Sequence, residues 1–377
     1  MKTFILSLVV LFSANLLAQD INAEIMSGGI QRSFIIHFPN GQVKPDLPVV
    51  LILHGDSGTG QGIKGYSGFD SVSDTENFIA VYPDSTNQLG NGIWNKEVND
   101  NPNDGPDDVL FISDIIDYMC ETYGINLNKV YATGHSGGAY MSYHLAVALP
   151  DKIAAIAPVA GNMYGDNDFI SNYLTGGSFV KIPIYHLHGD NDNTVSYPDP
   201  NHQPDDWGEW PLNGFSYPTC GAATYNLANV TDLAPAVKRI PFCENNADSK
   251  EILLIRIIGG GHGWPNVAGY NTSQAIWLFF DNYQLNINEN CQMSVEDLSA
   301  AEVSVYPNPV ENVLNLQSES LIQSVQIMDL NGKIIIEKQI TGQSKIELPV
   351  NSLSQGIYIL RIQCADKHIF TQKIIKK

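Results

Sequence analysis

The stretch Lys129-Val130-Tyr131-Ala132-Thr133-Gly134-His135-Ser136-Gly137-Gly138-Ala139-Tyr140-Met141 decides the fold. It opens with a short apolar run carrying β-branched and aromatic residues, the pattern of a buried strand. Gly134-His135-Ser136-Gly137-Gly138 then has the G-x-S-x-G form of a sharp strand-to-helix turn. Ala139, Met141, His144, Leu145 and Ala148 continue at helical spacing. Such a turn forces its serine into a strained backbone, and side chains in place of the flanking glycines would run into neighbouring backbone. Ser136 Oγ is left exposed at a helix N-terminus, whose partial positive charge favours developing negative charge. Ser136 is the candidate nucleophile.

Outward from this stretch, apolar runs recur. Residues 22–40 hold two strand-like runs, the second ending in Ser33–Phe38. Pro48–Gly55 and Phe78–Pro83 are continuous apolar runs, as expected of central strands covered on both faces. Asp107 and Asp108 begin a helix with Val109, Ile112, Ile116 and Met119 on one face. Strands follow at Ala154–Ala160, Ile182–His188 and Ile252–Ile258. A long polar and aromatic insertion fills about 197–245, and a helix at Thr272–Tyr283 closes the unit. Strands alternating with helices predict an α/β fold, a mostly parallel sheet with helices on both faces. Past Asn286 the texture changes to about seven short alternating runs, with Asn331-Gly332 as a hairpin turn, which predicts a small C-terminal β-sandwich.

With 377 residues, 44% of them apolar and 16% charged, the chain has material for a large globular unit and an appendage. The expected division is a signal peptide at 1–18, an α/β domain at 19–285, a linker at 286–299 and the β-sandwich at 300–377. Met1–Phe12 gives a positive start and an apolar core too short to span a membrane, and Leu16-Leu17-Ala18 offers a small residue before cleavage. No other segment reaches the apolar length of a transmembrane helix. The net charge is −20. Residues 299–377 are nearly balanced, 8 basic against 7 acidic, so the acidity lies in the α/β region. That argues against nucleic acid or anionic membrane as a partner. Of five cysteines in an exported chain, Cys220 and Cys243 flank a polar segment and are expected to pair. Cys120 lies in a helical apolar pattern and reads as a buried thiol, while Cys291 and Cys364 are expected to be free.

A serine nucleophile needs a base to take its proton and an acid to hold that base in one tautomer. His262, in Gly259-Gly260-Gly261-His262-Gly263-Trp264, stands alone among glycines after the last strand. By itself it would read as a turn residue; with Ser136 upstream it is the candidate base. Asp190 and Asp192 follow the strand ending at His188, and turn chemistry offers Asp190 a capping role. Gly137 N–H and Asp56 N–H, the latter just after His54-Gly55, are the candidate oxyanion donors. Tyr197, Trp207 and Trp210 in the insertion, with Trp264 beside the base, could line an aromatic-tolerant cleft or simply pack a lid segment. His186-x-His188 has zinc-compatible spacing without a convincing third ligand. Asp100–Asp108 is acidic but sets Pro102 and Phe111 where a calcium loop needs ligands, so a solvated turn is expected. No metal or organic cofactor is expected.

Six motifs come in order: His54-Gly55, Trp94-Asn95, Asp107-Asp108-Val109-x-Phe111-Ile112, Gly134–Gly138, His188-Gly189-x-x-Asp192-x-x-Val195 and Gly259–Pro265. Together they resemble the polyhydroxybutyrate depolymerase and feruloyl esterase group related to carbohydrate esterase family 1, over about residues 22–285. The resemblance implies an α/β-hydrolase fold and a secreted carboxylic-ester hydrolase with Ser136, Asp192 and His262 as triad. It also supports the Cys220–Cys243 bridge. Gly137 departs from the Ala or Asn common in that group. Residues 300–377 resemble the C-terminal sorting domain of type IX secretion substrates, through Val305–Pro309, Asn331-Gly332-Lys333, Gly356–Arg361 and Lys373–Lys377. This second resemblance implies a Bacteroidetes-type bacterium, outer-membrane translocation and an extracellular or cell-surface enzyme. The expected substrate is a feruloyl or acetyl ester of a plant polysaccharide, with a polyester depolymerase as alternative. A serine peptidase and a non-catalytic surface binding protein are further classes that share the same scaffold.

Overall fold

Central strands of this chain are buried on both faces, and their sequences are apolar without alternation for that reason. A computed structural model describes residues 20–86, 92–98, 105–176, 179–197, 211–221, 227–244, 250–287, 291, 303–328, 334–364 and 369–377. By its contacts the chain divides into Met1–Met293 and Ser294–Lys377.

The first unit opens with an antiparallel hairpin, β1 (Ile21–Ser27) and β2 (Ile30–His37). There follow β3 (Val49–Leu53), α1 (Gly60–Ser67), α2 (Phe69–Glu76), β4 (Ile79–Pro83), α3 (Asp108–Tyr123) and β5 (Val130–His135). Next come α4 (Gly137–Ala148), β6 (Ala155–Val159), α5 (Asn167–Thr175) and β7 (Ile184–Gly189). The insertion is more structured than its polarity suggested. It holds α6 (Pro211–Cys220) and the strands β8 (Thr231–Ala234) and β9 (Val237–Cys243), which precede β10 (Ile252–Ile257). A two-residue ribbon, β11 (Asn266–Val267) with β12 (Tyr270–Asn271), leads into α7 (Thr272–Phe280), one turn shorter than expected.

Ten strands form one sheet in the order β1-β2-β4-β3-β5-β6-β7-β10-β9-β8. The six strands from β4 to β10 run parallel, and antiparallel pairs close both edges. One face packs on α3 and α4 through Phe34, Leu51, Val81, Phe111, Ile115 and Met141. The other packs on α7 through Val50, Ile52, Tyr131, Ile276 and Phe280. This is the α/β-hydrolase arrangement. The C-terminal ends of β3, β5, β7 and β10 lie along one rim, where open α/β sheets collect ligands. No helix among the described residues is long and apolar enough to cross a membrane, and the expected signal segment lies outside those residues.

The second unit is a five-stranded antiparallel sheet, β13 (Ser304–Tyr306), β14 (Val313–Met328), β15 (Ile334–Pro349), β16 (Gly356–Cys364) and β17 (Ile369–Lys376). The expected seven runs become five because two pairs fuse. β14 carries both Val313–Leu316 and Ser324–Ile327, and β15 carries both Ile334–Ile340 and Lys345–Leu348. Register shifts around Ile322 bend β14 between partners: its first half pairs with β13 and its second with β16. Leu314, Leu316, Ile327, Leu348, Leu360 and Ile374 form its core. The expected Asn331-Gly332 turn lies outside the described residues.

Cys220 and Cys243 form a disulfide joining α6 to β9. Contrary to expectation, Cys120 is not a free thiol: it is bonded to Cys291, tying α3 to the end of the first unit. Cys364 remains free and buried. The Cys120–Cys291 bridge closes 171 residues, and in the chain-entropy account such a loop contributes up to about 5 kcal/mol. A Cys120→Ala/Cys291→Ala variant is expected to unfold several degrees below the parent in calorimetry. An unchanged transition would mean that the bridge carries no stability in solution.

Candidate active site

Three of the rim loops deliver the predicted polar residues, one each. β5 is followed directly by Ser136, whose φ of 53° and ψ of −117° lie outside the regions a serine prefers. Strain of that kind costs on the order of 1–3 kcal/mol and persists only where the surroundings impose it. Here the packing leaves no alternative. A Cβ built on Gly138 would stand 2.2 Å from Leu53 O, and one on Gly134 would stand 2.5 Å from Gly138 C. Glycine at both positions lets α4 begin directly against β3, and the serine between them has to point outward.

His262 Nε2 lies 2.9 Å from Ser136 Oγ, and His262 Nδ1 lies 2.8 Å from Asp192 Oδ2. An ionised carboxylate only accepts, so Nδ1 carries the imidazole proton and Nε2 is free to accept from the serine hydroxyl. Asp192 Oδ1 accepts Thr194 N–H at 2.8 Å and Val195 N–H at 2.9 Å. Burial pushes this carboxyl up, but the bonds from Val195, His262 and Thr194 outweigh it and hold it below the usual carboxylate range. Asp190 is occupied elsewhere, accepting from Arg256 Nε at 2.8 Å and Gly259 N–H at 2.6 Å. The structure therefore brings Asp192, not Asp190, to the imidazole.

Gly137 N–H opens α4, and Asp56 N–H follows the end of β3. A Cβ on Gly137 would stand 3.0 Å from Asp56 N, so the two amides converge beside Ser136. Among the described residues neither has a protein acceptor. The same added Cβ would meet Asp56 Oδ1 at 2.1 Å. Glycine at 137 is thus matched to an aspartate at 56, whose carboxylate turns to Lys96 Nζ at 2.5 Å.

The loop bearing Asp56 is braced from below. Trp94 Nε1 donates to His54 O at 2.9 Å, and Asn95 N–H donates to Asp108 Oδ2 at 2.6 Å. Asp108 Oδ1 pairs with Arg32 Nη2 at 2.6 Å, both side chains being almost fully buried. Asp107 caps α3 through Leu110 N–H, as expected, but Asp108 is not part of a solvated turn. His54 accepts from Ser85 N–H through Nε2 and donates from Nδ1 to Gly55 O. The Trp94-Asn95 and Asp107-Asp108 motifs are thus structural supports for one loop. Arg32 was not singled out in the sequence, because nothing local marks its partner 76 residues away.

The aromatic candidates fare differently. Trp264 is 8% exposed, packs edge-on against Phe69 and donates its indole N–H to Ser273 Oγ. Its ring packs into the core, and the residue also lines a cleft with Tyr66, Ser71, Pro265 and Thr272. Tyr197 is half-buried beside His188, with Arg256 over its ring. Trp207 and Trp210 lie outside the described residues. One unpredicted ring adjoins His262, and a second stands against that one. His135 lies 5.0 Å away between ring centroids, and Tyr66 stands against His135 at 5.6 Å. No signal beyond the position of His135 next to Ser136 could have pointed to them.

Comparison with known proteins fits this description. Residues 41–199 match the phospholipase/carboxylesterase family, and residues 304–377 match the secretion system C-terminal sorting domain. The chain is 29% identical over 180 residues, 48% of its length, to a bifunctional acetylxylan esterase/xylanase of Neocallimastix patriciarum. It is 36% identical over 132 residues, 34% of its length, to a poly(3-hydroxyalkanoate) depolymerase of Paucimonas lemoignei. It spans only 24% and 31% of those two proteins. An acetyl xylan esterase structure from Aspergillus awamori superposes with a TM-score of 0.53 at 19% identity, covering 69% of this chain and 99% of that one, which establishes a shared fold.

Burial holds His54, His135, His144, His186 and His188 below the ordinary imidazole range, His135 and His144 down to about 4. Their folded pKa values lie below the unfolded value of about 6.5, so the unfolded chain takes up protons first as pH falls. Stability is therefore full above that value and lost on acidification towards about pH 4, at up to about 1.4 kcal/mol per pH unit for each histidine. Thermal melts are expected to fall from about pH 6.5 downwards, before ordinary carboxylates protonate. A melting temperature level down to about pH 5 would contradict the assignment of neutral buried imidazoles.

Proposed function

We propose that this chain, an α/β-hydrolase followed by a secretion system sorting domain, hydrolyses carboxylic esters through an acyl-enzyme on Ser136. The observation that carries the reading is the unbroken Ser136–His262–Asp192 hydrogen-bonded series. Ser136 Oγ attacks the carbonyl carbon while His262 Nε2 takes its proton. The ester C–O bond then breaks as Nε2 returns that proton to the leaving alcohol. Water, deprotonated by the same nitrogen, attacks the acyl carbon and releases the acid and the serine. Asp192 keeps the imidazole in the required tautomer and offsets its charge when it is protonated. Gly137 and Asp56 amides hold the oxyanion, each contributing about 3 kcal/mol of transition-state stabilisation.

For substrate, an acetyl or feruloyl ester of plant polysaccharide is the preferred reading, supported by likeness to an acetylxylan esterase. A polyester depolymerase is the alternative, supported by likeness to a poly(3-hydroxyalkanoate) depolymerase. The sorting domain marks the chain for export, and passage across an outer membrane by the type IX machinery belongs to the same proposal.

A fluorophosphonate probe should label the parent protein once and leave Ser136→Ala unlabelled, and ester turnover in that variant should fall by roughly a thousandfold or more. Methyl ferulate, acetylated xylan, short hydroxybutyrate oligomers and peptide amides, assayed in parallel, would rank the substrates. Turnover of peptide amides alone would replace the esterase with a peptidase. Absence of labelling and of turnover would leave a binding protein on an esterase scaffold.

A further inference from the structure

Behind the candidate triad lies a second series of polar groups that the proposed chemistry does not use. Tyr143 Oη is 2.7 Å from His186 Nδ1, and His186 Nε2 is 3.0 Å from His188 Nδ1. His188 Nε2 is 3.0 Å from Val195 O and 3.3 Å from Asp192 Oδ2. His186 and His188 stand two residues apart on β7, hence on one face of the sheet, and both are fully buried. Tyr143 comes from α4, the helix that Ser136 begins. The series thus joins the helix of the nucleophile to the loop of the acid.

Its protons can be placed by elimination. Val195 O and the Asp192 carboxylate only accept, so His188 Nε2 must carry hydrogen, sharing it between the two with the shorter arm to Val195 O. Burial disfavours a second proton on either ring and holds both imidazoles neutral. His188 Nδ1 is therefore an acceptor, and His186 must donate to it from Nε2. His186 Nδ1 is then an acceptor in turn, and the phenol of Tyr143 donates to it. Every donor points the same way, towards the Asp192–Val195 turn. Hydrogen bonds aligned head to tail in a dry interior reinforce one another.

We infer that Tyr143, His186 and His188 form a positioning relay that holds the Asp192–Val195 turn in register with His262. His188 grips the turn at Val195 O and Asp192 Oδ2. The amides of Thr194 and Val195 on that same turn hold Asp192 Oδ1, leaving Oδ2 aimed at His262. The relay moves no proton. It fixes a tautomer, and through it the direction of a carboxylate. The catalytic meaning rests on the ester-hydrolase reading above, whereas the proton pattern does not.

Other groups face the relay and have to be considered in any pH profile. Tyr197 stands edge-on to His188 at 6.0 Å, and Arg256, opposite His188 on β10, is neutralised by Asp190. His262 and His135 adjoin it across Asp192. Loss of the His188 donor leaves Asp192 with one acceptor site less satisfied. Its pull on the His262 proton then grows, and the acidic limb of kcat/KM moves to higher pH.

The test uses the full chain labelled with 15N-histidine, observed by NMR between about pH 5 and pH 8. His186 and His188 are expected to appear as neutral rings protonated at Nε2 throughout. A neutral ring protonated at Nδ1, or a charged ring, at either position overturns the relay whether or not any variant folds. In kinetics, His188→Leu is expected to lower kcat by roughly tenfold or more with little change in KM and to shift the acidic limb upwards. His188→Gln, whose amide can donate from the place of Nε2, is expected to restore the limb. A folded His188→Leu with the parent profile, or a Gln variant as impaired as Leu, would overturn the positioning role. Retention of ester turnover by Ser136→Ala would instead sink the proposed function, while the spectra still decide the relay.

Discussion

The close approach of α4 to β3 is the constraint from which the rest follows. With Gly138 stacked on the carbonyl of Leu53, the chain cannot pass from strand to helix in any relaxed conformation, and Ser136 absorbs the misfit in its backbone. The strained turn sets the serine hydroxyl at the rim and brings Gly137 N–H beside Asp56 N–H. It also starts a twelve-residue helix whose positive end faces the place where an oxyanion would form. A larger residue at 134 or 138 would separate helix from sheet and dissolve all three relationships at once.

Around that turn, buried polar groups act as supports. Arg32 and Asp108 pair across the sheet edge and hold Asn95. Trp94 next to it holds the carbonyl of His54, and so the loop that presents Asp56. Removing one member of such a buried pair typically costs about 3–5 kcal/mol, because the other charge is left without a partner. On the opposite side, the Tyr143–His186–His188 series meets the turn of Asp192. The site is thus clamped from two directions by groups that never touch a substrate. Two tightly satisfied networks can hold loops with little regular structure of their own.

Much of this was legible in the sequence because the signals were local. The glycine pattern around Ser136, the unbroken apolar strands and the glycine-flanked His262 each announce their geometry within a few residues. What escaped was non-local or disguised. Thr231–Cys243 contains Pro235 and Pro241 among charged residues and reads as loop, yet it pairs as an edge hairpin, where proline is tolerated. Gln317–Ser324 in β14 looks like a turn because its polar residues accompany register shifts. Cys120 and Cys291 meet across 171 residues, a distance at which spacing carries no information. Trp264 sits beside the candidate base in sequence but turns its indole into the core, and neighbourhood in the chain says nothing about that direction.

The central claim is that an acyl group passes through the hydroxyl of residue 136. Intact-mass analysis of the full chain, quenched during turnover of an activated ester and followed by peptide mapping, addresses it most directly. The account predicts a protein species heavier by one acyl group, mapped to the peptide containing Ser136 and lost as turnover ends. Turnover with the acyl group attached at another side chain, or undiminished turnover by a chain lacking that hydroxyl, would contradict it.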